Sequence, residues 1–504
     1  MGAEIEKSDF TAAEYAAFKD RLPDQLAALE LLTARPGFGM APRSIGAELE
    51  LFLVDGTGGP VPIAADVKAR LTSPNVSLEL GRFEIELCTA PVRLEGRPFA
   101  ALERDIERER RSIDTAAREL GVRTVAVSIL PTLQRRDLTA RSITATPRYD
   151  ALTAGMRRLR QAPFRISIDG DEPLEVMSDD VAMEGANTAF QIHLLAAPGE
   201  FASVFNAALL ASAPALAAAG NSPTFLGHGL WEETRVALFK QAGDVRPPDP
   251  SQDWSPPARI TFGTGWMRDG AVEQFRESVA LHEPLLPVLA AGGENALAEA
   301  QAGGTPALSE LRMHHGTVWY WNRAVYDPAG NLRVELRALP AGPTTADMLA
   351  NAAFLIGLTL DLASDVGVLL PAMPFAYAER NFYRAAQQGL AAELLWPREP
   401  AAPPVPVRAE VLLPELVTRA RRGLAAAGVD AAEIGRHLDV FAARTASGIT
   451  GAVWQRRCLA AIEAAQVAAG GALDRQLALA QMVERYAFHA AAGHPVHTWP
   501  IEAP

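Results

Sequence analysis

Four short stretches of this 504-residue chain alternate apolar with ionisable or amide side chains at a period of two: Ile45-Gly-Ala-Glu-Leu-Glu-Leu-Phe-Leu53, Arg82-Phe-Glu-Ile-Glu-Leu-Cys88, Ala189-Phe-Gln-Ile-His-Leu194 and Leu332-Arg-Val-Glu-Leu-Arg-Ala338. A strand sends successive side chains to opposite faces, so each stretch reads as a strand with an apolar back and an ionisable front. Ile45, Ala47, Leu49, Leu51 and Leu53 share one face and Glu48 and Glu50 the other, roughly 7 Å apart. Glu84 and Glu86 oppose Phe83, Ile85 and Leu87; Gln191 and His193 oppose Phe190, Ile192 and Leu194; Arg333, Glu335 and Arg337 oppose Leu332, Val334 and Leu336. The plain alternative is an amphipathic sheet with a solvated outer face. Such faces usually mix Thr, Ser, Lys and Glu, whereas Lys is absent from all four stretches and acid, imidazole and guanidinium predominate. Like-charged carboxylates gathered on one face repel unless a cation sits among them, and hard cations take oxygen ligands. The pattern reads as a magnesium site.

Several function classes are disfavoured early. A net charge of -13 argues against a nucleic-acid partner, which normally requires a basic patch. The start, Met1-Gly-Ala-Glu-Ile-Glu-Lys-Ser, has neither a basic end nor an apolar run, and Glu6 stands where myristoylation needs Ser or Thr. The apolar stretches Phe201 to Gly220 and Ala350 to Leu370 are broken by Asn206, Ser212, Pro214, Asp361 and Asp365, which suits buried helices rather than membrane spans. Cys88 and Cys458 are the only cysteines, too few for a disulfide framework or a zinc spacing. A soluble cytoplasmic protein without a membrane partner is expected, with its oligomeric state open.

Along the chain, a helix is expected over Leu22 to Thr33, strands over Ile45 to Leu53, Arg82 to Thr89 and Val122 to Leu130, and helices over Leu94 to Gly121 and Phe201 to Ala219. Thr317 to Tyr326 and Leu332 to Leu339 flank Asp327-Pro-Ala-Gly-Asn331, a hairpin with a five-residue loop. A helix follows over Asp347 to Asp365, with Asp347 near its start. The Pro-rich Trp396 to Pro406 reads as a stiff connector, and 407 to 490 as Ala-rich helices broken at Gly428, at Ser447-Gly448 and at Gly470-Gly471. The fold class is α+β, with strands in the first two-thirds and a helical C-terminal third covering them. Residues 1–375 are assigned to one catalytic domain and 376–504 to a mainly helical region packed on it.

The commoner catalytic signatures are missing: no GxxxxGK[ST], HExxH, GxSxG or GxGxxG, and Gly263-Thr-Gly265 lacks the third glycine. What remains is the acidic sheet, with His193 as a mixed ligand or a structural histidine, and Arg333 and Arg337 as donors for phosphate or carboxylate. Weaker signals are His314-His315, whose side chains would diverge in a strand; Trp319 and Trp321, an adenine platform or core; and Arg235 in Trp231-Glu-Glu-Thr-Arg235, over a substrate carboxylate or in an ordinary salt bridge.

Taken together, Gly46-Ala-Glu-Leu-Glu50, Leu78-Glu-Leu-Gly-Arg-Phe-Glu-Ile-Glu-Leu-Cys-Thr-Ala-Pro91, Asn187-Thr-Ala-Phe-Gln-Ile-His193, Trp231 to Arg235 and Arg333-Val-Glu-Leu-Arg337 resemble the glutamate-cysteine ligase family, in consistent order over roughly residues 40 to 360. The resemblance implies a curved antiparallel β-sheet funnel of the glutamine synthetase catalytic type, flanked by helices, with ATP and two or three magnesium ions on its acidic face. It implies Glu48, Glu50, Glu79, Glu86, His193 and Glu335 as metal ligands and Arg337 as a phosphate clamp; Glu84 has no role in the pattern. From the residues themselves, Arg333 is expected beside Arg337 at the nucleotide and Arg235 as a catalytic residue at the substrate. The implied reaction is attack of the γ-carboxylate of glutamate on the terminal phosphate of ATP, followed by displacement of phosphate by an amine such as that of cysteine. Residues beyond about Leu390 lie outside the resemblance, and no signature names the acceptor. Three readings stay open beside the leading one: a related ligase with another amine or acid, a non-catalytic nucleotide or metal sensor, and, less in keeping with the motif order, a guanidino-type phosphotransferase.

Overall fold

The computed structural model describes residues 5–248, 256–290, 292–399 and 402–501. Met1 to Glu4 of the N-terminal segment, and Pro400 and Ala401 of the Pro-rich stretch, lie outside the described residues. At its centre is an eight-stranded sheet in the order Asn322–Asp327, Asn331–Leu336, Phe190–Leu195, Ser44–Val54, Glu84–Cys88, Val76–Leu78, with Val92–Arg93 and Arg123–Val125 pairing onto Ser44–Val54 as well. Every ladder is antiparallel, and the fold class is the expected curved antiparallel sheet flanked by helices.

Register does the positioning. Glu48 lies opposite Gln191 and Cys88, Glu50 opposite Glu86, Glu86 opposite Ser77, and His193 opposite Glu335 and Gly46. Residues directly opposite share a face, so side chains from five strands converge on one side of the sheet. The other side is core: Leu49, Leu51, Ile85, Leu87, Ile192, Leu194, Val334 and Leu336 are all fully buried. They form one cluster with the helices Pro98–Arg118, Phe201–Ala219 and Thr345–Ala363. The latter two helices are apolar all round because they are covered all round. By length and composition both would cross a membrane, yet 89 % and 83 % of their apolar windows are buried inside the protein.

The C-terminal helices Ala409–Ala426, Ala431–Ser447, Gly451–Ala468 and Arg475–Ala492 end where the glycine breaks indicated. Gly448 closes the second with a left-handed φ of +68°, a conformation glycine adopts without strain. Ala409–Ala426 packs on Thr345–Ala363 through facing glycines: a Cβ on Gly423 would stand 2.0 Å from the carbonyl oxygen of Gly357. Arg444 and Asp347 join the same layers by a buried ion pair of 3.0 Å.

Several expectations are corrected. The first helix starts ten residues early, at Ala12, because Thr11 and Glu14 form a capping box. The strand expected over Val122 to Leu130 is only Arg123–Val125. The hairpin is tighter: Asp327 pairs with Asn331, Asp327 Oδ1 accepts from Ala329 N at 2.9 Å, and Gly330 takes φ +89°. Trp319–Tyr320 leaves that hairpin to pair in parallel with Ile260–Thr261. His314 and His315 end a helix, Ser309–His315, rather than extending a strand. The helix expected over Asp347 to Asp365 runs Thr345–Ala363, with Thr344 as its cap and Asp347 in its first turn. The Pro-rich connector lies between two strands, Glu393–Trp396 and Val405–Arg408, that pair antiparallel.

Candidate active site

The ionisable face floors a cavity of about 520 Å³. Glu48, Glu50, Glu79, Glu86, His193, Glu335, Arg235, Arg333 and Arg337 all line it, so every site residue singled out in the sequence reaches one space. Among the described residues, three groups of donors are close enough to share an ion, with ligand atoms within 4.8 Å of one another: Glu48, His193 and Glu335; Glu50, Glu79 and Glu86; and Glu48, Glu86 and Cys88. The first two contain all six proposed ligands. In the third, burial pushes the Cys88 thiol up, which keeps it protonated and a poor ligand.

The two main groups differ in electrostatics. On the His193 side cations are already at hand. His193 Nε2 lies 3.1 Å from Glu48 Oε1, and Arg337 and Arg323 donate to Glu335 Oε1 at 3.1 and 3.0 Å. Burial pushes Glu48 and Glu335 up, but His193 holds the first well below the usual carboxylate range, and Arg323, Arg337 and His193 bring the second to about 2. On the other side nothing comparable balances the charge. Burial first, and Glu86 second, push Glu50 up to about 8; burial, then Glu50 and Glu184, do the same to Glu79, and burial with Glu48 and Glu79 raises Glu86. Glu50 still accepts from Ala189 N at 2.6 Å and Gln191 Nε2 at 3.0 Å, and Ser77 Oγ donates to Glu86 at 2.7 Å, so the carboxylates are fixed in place. A rigid, oxygen-rich, under-compensated donor set fits a divalent cation.

The arginines are disposed unequally. Arg337 sits between Glu335 and the amide oxygen of Gln191, and Glu335, Glu50 and Glu48 outweigh burial to raise its affinity for its proton. Arg333 donates to His193 Nδ1 at 3.1 Å and to Asp327 at 3.0 Å, which orients the ring with Nε2 toward Glu48. Arg235 is buried, bonded to Glu233 at 2.9 Å and to the carbonyl of Ala338 at 2.7 Å, so its guanidinium braces the end of the Asn331–Leu336 strand. Trp319 lines the cavity, whereas Trp321 is core against Phe239 and Phe382. His314 and His315 are buried too: His314 Nε2 bonds the Ser278 carbonyl at 2.8 Å, and His315 bonds Ser278 Oγ and the Ala324 carbonyl.

Sequence reasoning missed Arg323, Arg148, Tyr149 and Glu184, all of which line the cavity. Arg323 was within reach, because a three-residue hairpin loop pairs it with Glu335. Glu184, in the 3₁₀ turn Glu184–Ala186, carries no pattern of its own.

Comparison with solved structures gives the fold a context. The crystal structure of the glutamate–cysteine ligase from Francisella tularensis in complex with AMP matches 92 % of this chain and 91 % of its own at 10 % identity, with a TM-score of 0.55. A bifunctional glutathione synthetase from Pasteurella multocida matches 94 % of this chain and 55 % of its own at 15 % identity, with a TM-score of 0.48. No curated protein sequence matches the chain. The curved antiparallel sheet flanked by helices is the fold of the Francisella tularensis ligase. Residues 44–478 match the model of glutamate-cysteine ligase family 2, and the chain belongs to that family. The matched span runs well into the helical third.

Proposed function

We propose that this chain is an ATP- and magnesium-dependent ligase that activates the γ-carboxylate of glutamate as an acyl phosphate and joins it to the amine of cysteine. The observation that carries the reading is the pairing of one compensated and one under-compensated carboxylate group on a single rigid sheet face, with Arg337 between them. Glu48, His193 and Glu335 would hold one magnesium ion and Glu50, Glu79 and Glu86 another. When bound, the ions neutralise charge on the transferring phosphoryl oxygens and orient them.

The chain's own residues do the remaining work. Arg337 is placed to bind phosphate oxygens, and Arg323 keeps Glu335 ionised and aimed. Arg333 holds the ring of His193, and Arg235 holds the strand end that carries Arg337. In the first step the glutamate carboxylate oxygen bonds to the γ-phosphorus and ADP leaves; in the second the amine nitrogen bonds to the acyl carbon, phosphate leaves, and the nitrogen loses a proton to solvent. Residues 1–375 carry this chemistry, and 376–504 pack behind the sheet as structural support, in a cytoplasmic enzyme.

The test is ADP release from full-length protein with ATP, Mg²⁺ and glutamate, comparing cysteine with a panel of amines and recording product masses. Cysteine-dependent release with a γ-glutamylcysteine mass supports the full reading. Release only with another amine moves the acceptor, and no release with any pair sinks the ligase reading.

A further inference from the structure

Two cavity carboxylates, Glu84 and Glu184, belong to none of the ion-sized groups among the described residues. Glu84 is 2 % exposed, and its Oε1 is buried without a hydrogen-bond partner, while Oε2 accepts from Gly81 N at 3.0 Å. The backbone is closed tightly around it. A Cβ on Gly81 would stand 2.5 Å from Glu84 Oε2, and one on Gly185 would stand 3.3 Å from Gly81 Cα, so there is little room for a side chain at either position. Gly185 follows Glu184 directly, which brings the second carboxylate to the same wall.

The arginines of the floor are engaged elsewhere. Glu335 holds Arg323 and Arg337, Asp327 and His193 hold Arg333, and Glu233 holds Arg235. Among the described residues, neither Glu84 nor Glu184 forms an ion pair with a Lys or Arg. A buried carboxylate oxygen with no donor costs stability unless function supplies one. A metal is the poorer match, because among the described residues no third His, Cys, Asp or Glu ligand atom stands close enough to complete a group with them. An ammonium group, with three N–H donors and a longer reach, fits two separated carboxylates.

We propose that Glu84 and Glu184 form a subsite for a non-reacting alkylammonium group of a bound substrate. The proposal rests on the ligase reading in one respect. A nitrogen that attacks the acyl phosphate must be neutral, and two carboxylates keep a nitrogen protonated, so the group held here is one that does not attack. Two sources share this chemistry: the α-ammonium of the donor amino acid, and the second amine of a diamine acceptor.

Calorimetric titration of the full-length protein, loaded with Mg²⁺ and a non-hydrolysable ATP analogue, separates them. Glutamate is compared with glutarate, and 1,4-diaminobutane with butylamine. The member with the additional ammonium group, glutamate over glutarate or 1,4-diaminobutane over butylamine, binds ten-fold or more tightly than its partner in at least one pair. Glu84→Gln and Glu184→Gln each reduce that preference ten-fold, Glu184→Asp retains most of it, nucleotide affinity holds, and melting temperature does not fall. Loss confined to the glutamate pair assigns the donor, and loss confined to the diamine pair assigns the acceptor. The proposal is overturned if neither pair shows a preference, or if both Gln variants keep it. Because the readout is binding, absent ADP release would count against the ligase reading alone.

Discussion

Replacing Glu79 by glutamine should stabilise the metal-free protein, an unusual direction for a substitution at a cavity floor. Burial and the neighbouring Glu50 and Glu184 raise the native Glu79 carboxyl from 4.5 to about 8. Between those values the native protein retains a proton that the unfolded chain has released, so wild-type stability falls as pH rises through this window. At pH 7 the loss from this one group is about 3 kcal/mol, reduced toward about 2 by water at the cavity mouth. Glutamine does not titrate and escapes the loss, while its size preserves the contact to Tyr149, 3.5 Å from Glu79 Oε2. For a chain of 504 residues the unfolding entropy is roughly 1 kcal/mol per degree, so Glu79→Gln raises Tm by about 2 to 3 °C in EDTA at pH 7. The gain disappears at pH 4, where both side chains are neutral. Magnesium reverses the ranking: at a hundred times Kd it stabilises wild type by about 2.7 kcal/mol, and the variant by less. Scanning calorimetry at pH 4 and pH 7, with EDTA and with Mg²⁺, measures all four conditions. A gain at pH 7 that persists unchanged at pH 4 would refute the electrostatic argument, and so would no gain at all.

Other outcomes follow from the same structure. Arg337→Met should lower nucleotide-dependent turnover at least about 100-fold while the protein remains folded, since a charge-assisted donor at the transferring group is lost; steady-state kinetics beside circular dichroism decides it. Arg444→Met leaves Asp347 buried without its cation and should cost about 3 to 5 kcal/mol, read by chemical denaturation; a cost under about 1 kcal/mol would mean that Thr344 and the Val496 N–H already satisfy Asp347. Gly423→Ala drives a methyl group into the Gly357 carbonyl and should cost about 1 to 3 kcal/mol or more, with no effect on KM. Burial lowers His437 to about 4. The unfolded chain therefore takes the proton first as pH drops from 6.5 to 4, and stability falls by about 3 kcal/mol over that window; His437→Gln should flatten that part of the pH profile.

The acidic face was legible because period-two alternation specifies which side chains share a surface, and five of the six proposed ligands sit on such strands. Glu79 came only from the family pattern, since it follows the short Val76–Leu78 strand and has no alternation of its own. The hairpin was found but misregistered: the loop was read as five residues, and the Asp327 to Ala329 side-chain bond that shortens it is invisible to periodicity. His314 and His315 were read on a strand because the Trp-rich stretch beyond them is β-like, whereas a turn of helix carries them into the core. Arg235 was recognised as a site residue, but its burial against Glu233 is a tertiary fact. Glu184 and Arg148 lie on a 3₁₀ turn and a helix that approach the sheet from above, where only the assembled chain shows what they face.

The two apolar helices behind the sheet are completed by chain made long after them. Thr345–Ala363 is sealed by Ala409–Ala426 and Ala431–Ser447, so its seal is finished 84 residues after the helix itself. At ordinary ribosomal speeds that interval is roughly 4 to 17 seconds. Throughout it the nascent chain presents a greasy rod of membrane-span length to chaperones and to the translocation machinery alike. A premature stop within this interval would leave the apolar face of Thr345–Ala363 uncovered, because the late helices supply the surface that buries it.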